Sequence, residues 1–185
     1  MRKRIRLDYE SCRADVTAYL GPLLENPYVQ SMDHYIQHSD VTTLDHCMKV
    51  ACMALFLARK YEMDVDEKEL VTGGFLHDFY LYDWHITKHK GHLHGYYHPE
   101  VAAENARRLL GVSPAVCEMI RTHMFPLTLL RPPRTREAWL VCQADKWIAC
   151  AETFSPARRR AARLRRRRAR AERAANAFAA GQPAE

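Results

Sequence analysis

Gly73-Gly74-Phe75-Leu76-His77-Asp78-Phe79, or GGFLHDF, decides the fold. Asp64 followed by Glu67 resembles a capping box, and the helix it opens runs through Leu70 and Phe75 to His77 and Asp78. The paired glycines inside that helix allow close approach by a neighbouring helix. The stretch therefore reads as the end of a packed helix that carries a histidine and an aspartate at its C-terminus.

The same periodicity extends outward. Residues 43–61 place Leu44, Cys47, Met48, Ala51, Leu55 and Ala58 at three- and four-residue steps, with His46 within one turn of that stripe. Pro99 at a first-turn position predicts a helix over 100–110 stopped by Gly111, and Ser113 with Pro114 starts the next, which carries His123 near its end. Residues 135–154 predict a long helix with Trp139, Leu140, Cys142, Trp147 and Ile148 around Asp145. Segments 79–97 and 124–134 read as irregular. Alternating strand patterns and internal repeats are absent, so the fold class is all-α.

At 185 residues and 48% apolar content the chain can bury one substantial core, but not two large ones. Six cysteines without a CxxC pair, no signal peptide and no apolar run of membrane-spanning length predict a soluble, reduced, cytoplasmic protein. Cys47 is expected to be a small buried hydrophobe rather than a catalytic thiol. The net charge of +6 is unevenly placed, because residues 158–185 carry ten arginines against Glu172 and Glu185. This predicts a body over 1–157 and a basic Ala/Arg-rich tail over 158–185, an exposed helix or a disordered extension. Such a tail suits nucleic acid, anionic lipid or an acidic partner, or stands as a solvated terminal helix.

His46, His77, Asp78, His98, His123 and Asp145 each fall in an apolar helix-like stretch, where an uncompensated polar group is costly to bury. A shared metal centre compensates all of them together. Their order, H…HD…H…H…D, carried by GGFLHDF, YYHPEVAAENA (96–106), IRTHM (120–124) and VCQADKW (141–147), resembles the HD-domain superfamily of metal-dependent phosphohydrolases over roughly residues 38–154.

That resemblance implies an HD-type helical bundle and a binuclear site. His46, His77, Asp78 and Asp145 would bind one divalent transition metal, and Asp78, His98 and His123 a second, with Asp78 as the bridge. Iron and manganese suit this mixed nitrogen and oxygen set. It further implies hydrolysis of a phosphate ester or anhydride, nucleotide-type, by a hydroxide formed from metal-acidified water. His94, close to His98, is the candidate general acid or outer contact, ahead of Asp83 and Lys88. Lys146, Arg131, Arg134 and Arg136 are candidate phosphate clamps, or ordinary solvated charges. Two other classes compete: a mixed-valence di-iron oxygenase of this fold, which the same ligands fit, with Tyr35 and Gln37 lining an oxygen pocket or serving helix packing, and a nucleotide-binding regulatory module with a vestigial site, against which the intact ligands argue.

Overall fold

The computed structural model describes residues 9–38, 41–86 and 93–154. The basic tail, the expected boundary at 157/158, and Lys88, His89 and His92 lie outside the described residues. Residues Met1–Ala149 cluster as one unit and Cys150–Glu185 as a second, of which 150–154 are described.

Seven α-helices are present among the described residues: α1 (Tyr9–Leu20), α2 (Pro27–Gln30), α3 (Thr43–Lys60), α4 (Glu67–Leu76), α5 (His94–Leu110), α6 (Pro114–Thr122) and α7 (Arg136–Phe154). Two short strands, β1 (Ile36–His38) and β2 (Val41–Thr42), pair antiparallel with Ile36 opposite Thr42. This small hairpin is the one β feature among the described residues, and five residues are too few to have shown an alternating pattern. No helix of the described residues is long and apolar enough to cross a membrane.

Side-chain caps set the helix starts. Thr42 accepts from the Asp45 amide at the head of α3, Ser113 from Val116 at the head of α6, and Thr135 from Ala138 near the start of α7. For α4 the cap is Asp66, which accepts from Glu69, rather than the expected Asp64. The carbonyl of Asp64 instead accepts from Arg136. Gly111 ends α5 as expected, in the left-handed conformation at φ 65°. Pro99 does not begin α5 but sits inside it, with one further turn ahead of it beginning at His94. That turn puts His94 and His98 on one face, four residues apart.

α4 lies between two neighbours. A Cβ on Gly73 would stand 2.5 Å from Met119 Sδ of α6, and one on Gly74 would stand 3.2 Å from Ala51 Cα of α3. The glycine pair therefore admits two helices on two sides. One core, with Phe75, Leu76, Leu55, Ala103 and Ile120, fills the space among α1, α3, α4, α5 and α6. A second, with Val50, Ala54, Leu70, Met119, Val141 and Ala144, joins α7 to α3, α4 and α6. Trp139 and Trp147, which flank Asp145 on α7 as expected, are 41% and 57% exposed. The buried face of α7 runs through Ala138, Val141, Ala144 and Ile148, and each tryptophan stands one residue, or about 100°, off that stripe.

Arg59 near the end of α3 ties three helices together. Its Nε and Nη2 donate to the two oxygens of Glu67 on α4 at 2.8 and 2.6 Å, and its Nη1 donates to Asp15 on α1. The Tyr19 hydroxyl donates to the same Glu67 carboxylate at 2.7 Å. The arginine hydrogen bonds, offset in part by burial, hold Glu67 below its ordinary value of 4.5. A carboxyl held low stabilises the fold fully above its ordinary value, and loses that contribution as pH falls through the folded value. Arg59→Met is expected to cost about 1 kcal/mol at neutral pH. In paired urea titrations at pH 7 and pH 3, the gap between variant and wild type should narrow at pH 3.

Candidate metal centre

Five helices deliver six side chains to one place. His46 stands in the first turns of α3, His77 and Asp78 directly after α4, His98 in α5, His123 directly after α6, and Asp145 within α7. All are buried except Asp145, whose side chain is 13% exposed. Asp145 Oδ1 lies 3.3 Å from His46 Nε2 and 3.6 Å from His77 Nε2. Asp78 places Oδ2 3.3 Å from His77 Nε2, and Oδ1 3.1 Å from His98 Nε2 and 3.6 Å from His123 Nε2. His98 and His123 approach each other, Nε2 to Nε2, at 3.0 Å.

The backbone fixes which ring nitrogen faces inward. His77, His98 and His123 each hold Nδ1 against a carbonyl three or four residues upstream, of Gly74 at 2.8 Å, His94 at 2.9 Å and Ile120 at 2.7 Å. A carbonyl only accepts, so in the neutral ring Nδ1 carries the proton and Nε2 a lone pair. Three inward lone pairs thus meet carboxylate oxygens, acceptor against acceptor. His77 Nε2 and Asp78 Oδ1 are buried without a hydrogen-bond partner, which is costly in a folded core. The C-terminal ends of α4 and α6, the negative ends of their dipoles, also meet here. Each of these features favours a cation. The donor atoms of His46, His77 and Asp78, of His77, His123 and Asp145, and of Asp78, His98 and His123 each lie within 4.8 Å of one another, close enough to share a metal ion. Imidazole nitrogen with carboxylate oxygen is the donor set of a divalent transition metal.

Protonation follows the same geometry. Burial opposes charge on Asp145, but its contact with His46 and the nearby charge of His77 hold its carboxyl well below the usual range. Asp78 behaves likewise, with burial outweighed by the charge of His77 and the approach of His98. Burial, then the charges of His77 and His98, push His123 down to about 3, so its lone pair is free at neutral pH. Burial also works against charge on His77, yet the Asp78 carboxylate carries it well above its ordinary value. His77 Nε2 meets no carboxylate along a hydrogen-bonding direction, so this is an effect of charge, and a proton there competes with a cation. The Cys47 thiol, 3.8 Å from His77 Nδ1, is pushed up by burial and stays protonated, as expected of a packing residue.

A family model described as the HD domain matches residues 43–149, more than half of the chain. The chain belongs to the HD-domain family. No curated protein and no solved structure matches it. HD domains belong to a superfamily of metal-dependent phosphohydrolases that act on phosphate substrates.

Beside the cluster, this HD domain opens a cavity of about 610 Å³. Asp78, His98, His123 and Asp145 form part of its lining, with Gln37, Lys146 and His94, and Trp84, Met124, Pro126 and Leu127 supply an apolar wall. Lys146 donates Nζ to the carbonyls of His123 and Cys142 at 2.8 and 3.2 Å and stands 4.0 Å from Asp145 Oδ2. His94 stacks between His98 and Trp84, with its Nδ1 3.1 Å from the Tyr82 hydroxyl. Burial, then the charge of His98, lowers His94 to about 4, so the ring is neutral at pH 7. Asp83 pairs with exposed His85 instead.

Arg131, Arg134 and Arg136, the candidate phosphate clamps, are not among the residues that line this cavity. Arg131 donates to Glu100 at 2.6 Å and, with Arg134, lines a separate surface cleft. Arg136 reaches the Asp64 carbonyl from the first residue of α7, nine residues and about 14 Å of helix before Asp145. Residues 124–127 cover the cavity and the chain then leaves it, which closeness in sequence to Asp145 does not reveal. Sequence reasoning also missed the apolar wall and the contact of Gln37 with Asp78. Neither follows a spacing rule, because residues outside the helices meet the site only through the path of the chain.

Proposed function

We propose that this HD domain is a hydrolase of phosphate esters or anhydrides, nucleotide-type in substrate, with two divalent metals at its centre. The inward lone pairs of His77, His98 and His123 around two ionised carboxylates carry the reading. His46, His77, Asp78 and Asp145 would hold one metal, and Asp78, His98 and His123 the other. When bound, iron or manganese ions supply Lewis acidity at the phosphoryl group and acidify water. Lys146, anchored on two carbonyls, sets positive charge at the cavity wall for the phosphoryl oxygens. His94, neutral at pH 7, orients substrate through a ring nitrogen in preference to protonating it as an imidazolium. The apolar wall of Trp84, Met124, Pro126 and Leu127 suits a nucleobase or another apolar body, and keeps water from that side.

Metal content by elemental mass spectrometry, on protein purified without added metal or chelator, tests this reading. We expect about two equivalents of iron or manganese per chain, falling toward one in His98→Ala, with turnover of a small soluble phosphoester lost in the variant. Metal content unchanged in the variant would remove His98 from the ligand set. Iron alone, without phosphoester turnover, would favour the oxygenase of the same fold.

A further inference from the structure

Gln37 is not part of the ligand set, yet it holds the carboxylate that two ligand groups share. It sits on β1, buried, and its Nε2 donates to Asp78 Oδ2 at 2.5 Å. A glutamine amide can be turned either way round, and here its two neighbours agree: the Asp78 carboxylate only accepts and so takes Nε2, and Tyr80 holds the oxygen on the other side. The Tyr80 hydroxyl donates to Gln37 Oε1, while the Thr43 hydroxyl stands 3.4 Å from that oxygen. With Oε1 committed to accepting, only Nε2 can face Asp78. One oxygen of Asp78 is thereby taken by a neutral donor. The other, Oδ1, has no hydrogen-bond partner and faces the Nε2 atoms of His98 and His123. Pairing of Ile36 with Thr42 across the hairpin fixes the backbone beside Gln37, which gives that small β element a purpose in a helical fold.

We propose that Gln37, oriented by Tyr80, is a positioning residue for Asp78: it fixes the turn of the carboxylate so that Oδ1 is presented to the His98–His123 pair and sets metal affinity there. The inference rests on the metal reading above. Partners that orient a ligand in this way change metal affinity by about 10- to 100-fold.

Titration of the full chain with manganese(II), read as free ion by electron paramagnetic resonance, tests it. Wild type is expected to bind two equivalents. Gln37→Leu should weaken the second by about 10- to 100-fold and the first by less. Tyr80→Phe, which keeps the amide but frees it to turn, should weaken the second equivalent by a smaller factor. Added to Gln37→Leu, it should bring no further loss, because both act through one contact. A second equivalent unchanged in Gln37→Leu overturns the inference, as do losses that multiply independently in the double variant. If Gln37→Leu does not fold by circular dichroism, Tyr80→Phe alone decides, and unchanged affinity overturns the inference. A wild type that binds no manganese at all defeats the metal reading itself and this inference with it, a pattern distinct from a bound wild type with an indifferent variant.

Discussion

Asp78→Asn is expected to abolish phosphoester turnover, by a factor on the order of 10³ or more, and to empty the centre of metal while leaving helical content unchanged. The substitution keeps the volume of the side chain and an oxygen that can accept from Gln37. It removes the negative charge, and its amide nitrogen has no lone pair to offer an ion. Asp78 faces His77 through one oxygen and His98 and His123 through the other, so both halves of the cluster lose a ligand in one step. Its backbone lies beyond the last residue of α4, and its side chain caps no helix. Circular dichroism beside elemental mass spectrometry separates loss of metal from loss of fold. A variant that retained two metals and full turnover would sink the binuclear reading.

Phe75→Ala carries the second large effect, on stability. Phe75 is fully buried on α4, two residues before His77, in the core shared with α1, α3, α5 and α6. Truncating a buried phenylalanine costs about 3–5 kcal/mol, because contacts are lost and the cavity closes only in part. For a chain of this size, each kcal/mol lowers Tm by about 2–4 °C, so a fall of roughly 6–20 °C is expected. Thermal melting in the presence of a chelator isolates this loss from any contribution of bound metal. A fall below about 2 °C would show that α4 is not anchored through Phe75, and the placement of His77 and Asp78 would need another explanation.

Much of the fold was legible because its signals are local. Ser113 before Pro114, Gly111 after Leu110 and the stripe through Ala51, Leu55 and Ala58 act within one or two turns of helix, and each element stands where its signal put it. The misreadings were also local in scale. Asp64 and Asp66 are both acidic and two residues apart, and only the capping geometry chooses between them. Pro99 marks a first turn by habit, yet α5 begins a full turn earlier and so brings His94 over His98.

The sequence alone determined the helical class, the order of the histidines and aspartates, and the family they resemble, since residue type and spacing along one chain suffice for these. The tertiary structure alone decided that six side chains from five helices meet within a few ångströms and that backbone carbonyls turn three Nε2 lone pairs inward. It also decided that Gln37 reaches Asp78, and that Arg131, Arg134 and Arg136 do not line the cavity. The physical reason is range. Caps and periodicity are set by torsions and hydrogen bonds within a few residues, whereas the orientation of a ring or amide is fixed by partners tens of residues distant, which meet only once the helices have packed.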